Sequence, residues 1–201
     1  MRPSSTVGDD PGMTGSGRGT QPTLTGRRVR LRPWRAVDAD AVCAACQDAE
    51  IQRWTQVPVP YAREHAVEFV GTVAPRTWAD GGALFAVEPL EGGALVGSIG
   101  LFPPRDGVGE AGYWTAPGHR GRGLTAEALW VLTDWALDVA GVHRVELLVD
   151  PANAGSRRVA ESAGFVAEGT IRQRFLYRGR PSDIVHYARL AGDRSPGPSG
   201  E

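Results

Sequence analysis

The residues whose types and spacing carry the most chemistry run from Gly112 through Tyr113, Trp114, Thr115, Ala116, Pro117, Gly118, His119, Arg120, Gly121, Arg122, Gly123 and Leu124 to Thr125. Strand-forming residues here enter a Gly-rich turn and leave with a helical period. Glycine at 121 and 123 lets the backbone approach a ligand with no Cβ in the way. Free amides at the start of the following helix carry partial positive charge, which makes a seat for a phosphate or pyrophosphate. Arg120 and Arg122 add local charge, and His119 abuts the turn with no defined part in it. Two familiar nucleotide patterns fail on the letters. No Lys follows the second glycine as a P-loop requires, and Ala126 stands where a dinucleotide turn has its third glycine. A purely structural turn is the alternative.

Other reactive residue types offer less. Cys43 and Cys46, inside AVCAACQ, read as small buried hydrophobes of a helix interior and not as a redox pair. His65, His119, His143 and His186 lie far apart with no ligand spacing, so no metal is expected.

The elements that must position the turn follow from periodicity. LTGRRVRLRPW alternates around Val29 and Leu31 as a first strand, and Asp38 reads as the N-cap of a helix through Val42 and Cys46. A second helix is expected from about Ala62 to Trp78, with Ala66, Val67, Val70 and Val73 on one side and Gly81-Gly82 as its end. ALFAVEP, ALVGSIGLF and GEAGYWTAP read as an antiparallel meander. From Leu124 to Ala140 apolar residues recur at Leu124, Ala128, Val131, Leu132, Trp135 and Val139, the helical period, and Gly141 stops it. VHRVELLVD is a buried strand, NAGSRRVAESAG a short helix capped by Asn153 and stopped by Gly164, and two more strands close the domain. This order gives an α/β fold with a mixed sheet.

Bulk properties narrow the function. At 201 residues and 41% hydrophobic composition the chain suits one well-buried domain. Its 22 basic and 23 acidic residues give no global field toward nucleic acid or anionic membrane. No apolar run suits a membrane span or signal peptide, so a soluble, cytoplasmic protein is expected. Residues 1–22 and 191–201 are Gly/Pro/Ser-rich and read as disordered tails around a domain over 23–190.

The stretch Arg120-Gly121-Arg122-Gly123-Leu124-Thr125 resembles the coenzyme A pyrophosphate loop of the GNAT N-acetyltransferase family, whose pattern is Arg or Gln, two residues, Gly, one residue, then Gly or Ala. Thr125 departs at the last position. The resemblance continues at Asn153, Ser156, Gly164, Phe165, Glu168 and Gly169, and spans about residues 24–190. The spacing of Asn153 and Ser156 and the Gly-Phe-x-x-Glu-Gly strand start are similar to the branch containing ribosomal-protein N-terminal (alanine or serine) acetyltransferases.

The resemblance implies a single GNAT-type domain, a mostly antiparallel mixed sheet of six to seven strands with about four helices. It also implies acetyl-CoA as co-substrate, bound between the strand ending at Trp114-Thr115-Ala116 and the strand ending near Val149. Arg120, Gly121, Arg122, Gly123, Leu124 and Thr125 would hold the pyrophosphate, Asn153 and Ser156 the pantetheine arm, and Arg157, with Arg158, the nucleotide end. A backbone amide near Trp114 or Thr115 would polarise the thioester carbonyl. Glu110 is the carboxylate placed to take the amine's proton, its alternative being an exposed strand-end charge. Ser156 would protonate the departing thiolate, or else bond the first turn of its own helix. Trp54 and Tyr61 flank a Pro-containing loop and are the candidate acceptor wall. The acceptor is a primary amine, a peptide N-terminus or a small molecule. An α-amino group of pKa about 7.8 is roughly one part in seven neutral at pH 7, whereas lysine at about 10.4 is neutral only a few times in ten thousand. Competing readings are a succinyl-CoA donor, an aminoglycoside-like acceptor, and a non-catalytic coenzyme A-binding module. Monomer and homodimer are both open.

Overall fold

The computed structural model describes residues 18–193. Alternation sets the first strands: Val29 and Leu31 are fully buried, as are Phe85 and Ile99 on the strands beside them. Eight strands, β1 (Leu24–Thr25), β2 (Val29–Arg32), β3 (Ala83–Pro89), β4 (Gly97–Leu101), β5 (Val108–Thr115), β6 (Arg144–Val149), β7 (Val166–Tyr177) and β8 (Arg180–Leu190), form one sheet. Their order is β1-β2-β3-β4-β5-β6-β8-β7. Every neighbouring pair is antiparallel except β5 with β6, which are parallel and joined by a helical crossover.

That crossover is α5 (Leu124–Asp138), whose Leu124, Ala128, Leu129, Leu132 and Ala136 enter the main core with the apolar side chains of β2 to β6 and β8. α6 (Ala154–Ser162) packs beside it and adds Ala160. A smaller core is built by α1 (Ala39–Ala45), α2 (Ala49–Trp54) and α3 (Arg63–Glu68), the last running through a π turn at Phe69–Val73 into α4 (Ala74–Ala79). Trp34, Phe69 and Trp114 close over this cluster.

Several expectations change in detail. The sheet has eight strands because the two-residue β1 pairs with Arg30 and Leu31; it is too short to show an alternation. The expected helix through Val42 and Cys46 is α1, and α2 follows as an element that was not expected, beginning where Asp48 adopts an extended conformation and caps it by accepting from Ile51 N at 3.0 Å. Asp38 does not cap α1 with its side chain. Its carboxylate accepts two 2.8 Å bonds from Arg32 and one from Arg35 N, and Arg32 also meets Glu88 at 2.8 Å, a buried network tying β2 to β3 and α1. On the second helix Ala66 and Val70, four apart, face inward, while Val67 lies off that row and is 45% exposed; the π turn at Phe69–Val73 carries Val73 outward, 41% exposed, and gives the inward place to Ala74. Of the two expected tails, residues 1–17 and 194–201 lie outside the described residues. Residues 18–21 meet the body: Arg18 donates to Gly82 O and stacks over Trp78, Trp78 Nε1 donates to Gly19 O, and Gln21 donates to Leu84 O. Among the described residues no helix is long and apolar enough to cross a membrane.

Candidate active site

β5 and β6 pair over only Val108–Glu110 with Arg144–Glu146 and then part. Beyond that point β5 keeps its partner β4 as far as Thr115, and β6 keeps β8 as far as Val149. The result is a wedge-shaped opening in the sheet, edged by strand backbone on both sides. Phe102 N donates to Glu110 O and Ala116 N donates to Val96 O, both across the β4–β5 pair. The two-residue alternation of an antiparallel ladder therefore turns the amides of Gly112, Trp114 and Ala116 toward β4, and those of Ala111, Tyr113 and Thr115 toward the opening.

The Gly-rich turn stands at the mouth of this wedge. Gly121 and Gly123 both adopt the left-handed conformation, φ 72°, which side-chain-bearing residues avoid. Gly123 is the N-cap of α5, and the first helical bond runs from Glu127 N to Gly123 O at 3.1 Å. The amides of Leu124, Thr125 and Ala126 precede it and have no helical acceptor. Leu124 buries its side chain in the main core, leaving its amide to the turn. Thr125, the position that departs from the family pattern, bonds Thr115 Oγ1 through its hydroxyl at 2.6 Å, so it fastens the end of β5 to the start of α5.

Two ion pairs hold the turn. Arg120 pairs with Asp48 at the start of α2. Arg28 grips the carboxylate of Glu127, 1% exposed in the first turn of α5, through its backbone N at 2.6 Å and its Nε at 2.8 Å, and its Nη1 donates to Arg122 O at 3.3 Å. A Cβ at Gly26 would come within 2.8 Å of that carboxylate. Arg122 lies 3.4 Å from His119 Nδ1 and is otherwise exposed. These features fit a diphosphate: two left-handed glycines, a helix start with free amides, and two arginine side chains at its rim.

Across the opening, Asn153 accepts from Ser156 N at 3.0 Å and so caps α6. Ser156 shares a 2.7 Å hydrogen bond with the hydroxyl of Tyr113, which also donates to Ser156 O at 3.1 Å. Burial pushes the Tyr113 phenol well above its ordinary range, against the pull of the Ser156 hydrogen bond, so it keeps its proton at neutral pH. Sequence reading missed Tyr113, because a strand aromatic reads as core and only the fold brings it to Ser156. Arg157 donates to the Tyr187 hydroxyl at 3.2 Å, an arrangement that turns it along α6 and β8.

Glu110 sits at the apex of the wedge, on the sheet face away from Ala111 and the main core. It stands opposite Glu146 in the parallel register. Burial is the main cause that raises its proton affinity above the ordinary carboxylate value, the Glu146 charge adds to this, and Arg174 and His186 oppose it. Trp54 and Tyr61 come out differently. Trp54 is half-exposed, donates to Glu50 at 2.8 Å and lies under Arg53. Tyr61 is 7% exposed inside the smaller core, where it packs with Cys46 and presents no free face as an acceptor wall. Cys46 is a buried thiol whose pKa burial raises to about 11.

Comparison with known proteins adds an independent line. The family model described as an acetyltransferase (GNAT) domain matches residues 28–166. The N-acetyltransferase p20 of Bacillus licheniformis is 25% identical over 170 residues, 84% of this chain and 96% of its own. The ribosomal-protein-serine acetyltransferase of Escherichia coli is 29% identical over 98 residues, 48% of this chain and 55% of its own. The fold of the Mycobacterium smegmatis RimJ protein, solved with a coenzyme A disulfide, matches with a TM-score of 0.73 at 24% identity, covering 85% of this chain and 88% of that one.

Proposed function

We propose, from the premise that the chain belongs to the GNAT N-acetyltransferases, that it moves an acetyl group from acetyl-CoA to a primary amine, and that the acceptor is a peptide α-amino group. The observation that carries the reading is the parting of β5 and β6 immediately after Glu110, with the left-handed glycine turn at its mouth.

In this reading Gly121, Gly123 and the amides of Leu124 and Thr125 hold the pyrophosphate, with Arg120 and Arg122 beside it, and Trp114, Thr115 and Ala116 line the arm's path with Asn153. Acetyl-CoA supplies an activated acyl carbon. The amide of Thr115 or Tyr113, each turned to the opening, is positioned to polarise the thioester carbonyl; those of Trp114 and Ala116 are spent on β4. Glu110 takes the amine's proton, and its raised proton affinity makes it a stronger base than an ordinary carboxylate. On the other side of the wedge, Ser156 holds a proton on Oγ for the leaving sulfur, with Tyr113 hydrogen-bonded behind it.

The surroundings of Glu110 support a singly charged acceptor. Glu110, Glu146 and Glu168 are accompanied by Arg144, Arg174 and His186, so the face carries no strongly acidic field for a polycationic antibiotic. The ribosomal-protein-serine acetyltransferase relative agrees with a protein acceptor. The test is thiol release from acetyl-CoA and succinyl-CoA against peptides with free N-termini, lysine peptides, polyamines and aminoglycosides. Release with N-terminal peptides and acetyl-CoA is expected; release confined to another class would replace the acceptor. Glu110→Gln is expected to lower kcat about 100-fold. In the parent protein kcat should fall as the pH drops through a midpoint above the usual carboxyl value.

A further inference from the structure

The wedge apex holds more titratable side chains than the transfer reaction uses. Glu146 Oε1 is shared by Arg144 Nε at 2.6 Å and His186 Nε2 at 3.2 Å. The other nitrogen of that imidazole lies 3.7 Å from Glu168 Oε2, and Arg144 also pairs with Glu168. His186 projects on the same face as Glu146, because it stands opposite Leu148 in the antiparallel register and residues 146 and 148 of a strand share a face. Glu110, Glu146 and His186 thus form a row across β5, β6 and β8, with Arg174 of β7 at its side. On the other side of β5, the uncharged Phe102 just past β4 stands at the level of Glu110, its amide donating to Glu110 O, and Gly100 and Leu101 follow opposite Gly112 and Ala111. Within the row Glu146 is ion-paired through Oε1, whereas the Glu110 carboxylate feels its neighbours only as charges, with no side-chain hydrogen bond among the described residues.

We propose that Glu146 and His186 are positioning residues for the transfer step: from the strands beside Glu110 they set the pH at which it is ready to take the acceptor's proton. This rests on the reading of Glu110 as the base. The physical reason is the sign of each charge. The Glu146 anion beside Glu110 makes a second anion costly and so strengthens Glu110 as a base. The His186 imidazole, 3.2 Å from Glu146, brings a positive charge to the row when it is protonated. That charge is held between two carboxylates and opposes the Glu146 effect, leaving Glu110 ionised but weaker. A positive charge at His186 therefore opposes proton uptake at Glu110, the reverse of the Glu146 effect.

The coupling gives predictions of opposite sign, which a structural role would not produce. In a kcat–pH profile with an N-terminal peptide, His186→Gln removes a positive neighbour, so the acid limb should move to higher pH. Glu146→Gln removes a negative neighbour, so the limb should move to lower pH. Each shift should be about half a unit or more. A second measurement needs no activity. The Glu110 carboxyl is followed by NMR titration, and relative to the parent protein its midpoint should rise in His186→Gln and fall in Glu146→Gln. If Glu110→Gln is inactive while both variant profiles and both variant Glu110 midpoints superpose on the parent, the inference is overturned and the base assignment survives. If Glu110→Gln retains full activity, the base assignment falls first and this inference with it.

Discussion

At the scale of single residues, the site separates groups that hold a proton from groups that take one. Tyr113 and Ser156 lie on the α6 side of the wedge, hydroxyl to hydroxyl at 2.7 Å, and Glu110 lies at its apex on the opposite face. Ser156→Ala is expected to lower kcat about 100-fold while calorimetric coenzyme A affinity stays within a factor of two or so. Equal losses in both, or in neither, would contradict the proton-donor assignment. Tyr113→Phe should reproduce part of that kcat loss, and the double variant should fall short of the product of the two, because the hydroxyls act as one unit. Much of this was legible beforehand, since Asn153, Ser156 and the glycine turn are ordered along the chain as motifs. Tyr113, Glu146 and His186 were not. Nothing local distinguishes a tyrosine in a strand from a core aromatic, and the acid–imidazole row exists only through the register of three strands distant in sequence.

Elements decide how firmly those residues are held. The turn before α5 needs left-handed backbone at both glycines, so Gly123→Val should add about 1–2 kcal/mol of strain. Each 1.4 kcal/mol that reaches the bound state weakens coenzyme A about tenfold, and unchanged affinity would undermine the pyrophosphate assignment. At the other end of the sheet, Arg32 is buried between Asp38 and Glu88. Burial alone would raise the Asp38 pKa, but Arg32 and the Arg35 amide outweigh it and hold the carboxyl below its ordinary value. The stabilisation is therefore complete above the unfolded-state pKa and is lost as pH falls through the lower folded value. Asp38→Asn should cost about 3–5 kcal/mol in denaturant unfolding at pH 7, and the gap to the parent should close in acid. α5 was legible because its period runs uninterrupted for 15 residues. The start of α2 was harder to see, because Asp48 is a permissible helix residue until its cap bond to Ile51 is known.

Over the whole molecule, α2 has a role that its own short sequence does not announce. Asp48 at its start holds Arg120 of the glycine turn. Its last carbonyls are capped from far along the chain by the β7–β8 hairpin: the Tyr177 hydroxyl donates to Gln52 O and Thr55 O at 2.9 Å each, and Arg178 donates to Gln52 O at 2.7 Å. The same hairpin carries Arg174 past Glu110. The hairpin that carries Arg174 near Glu110 is thus tied to α2, and if this tie narrows the approach to Glu110 it favours the end of a chain over a stretch from its middle. Selectivity for termini would then come from threading and not from reading side chains. Tyr177→Phe combined with Arg178→Ala, which removes the hairpin's bonds to α2, should raise acetylation of internal lysines relative to N-termini in a competition between the two kinds of peptide. An unchanged ratio would mean that the choice of acceptor is made by amine basicity alone.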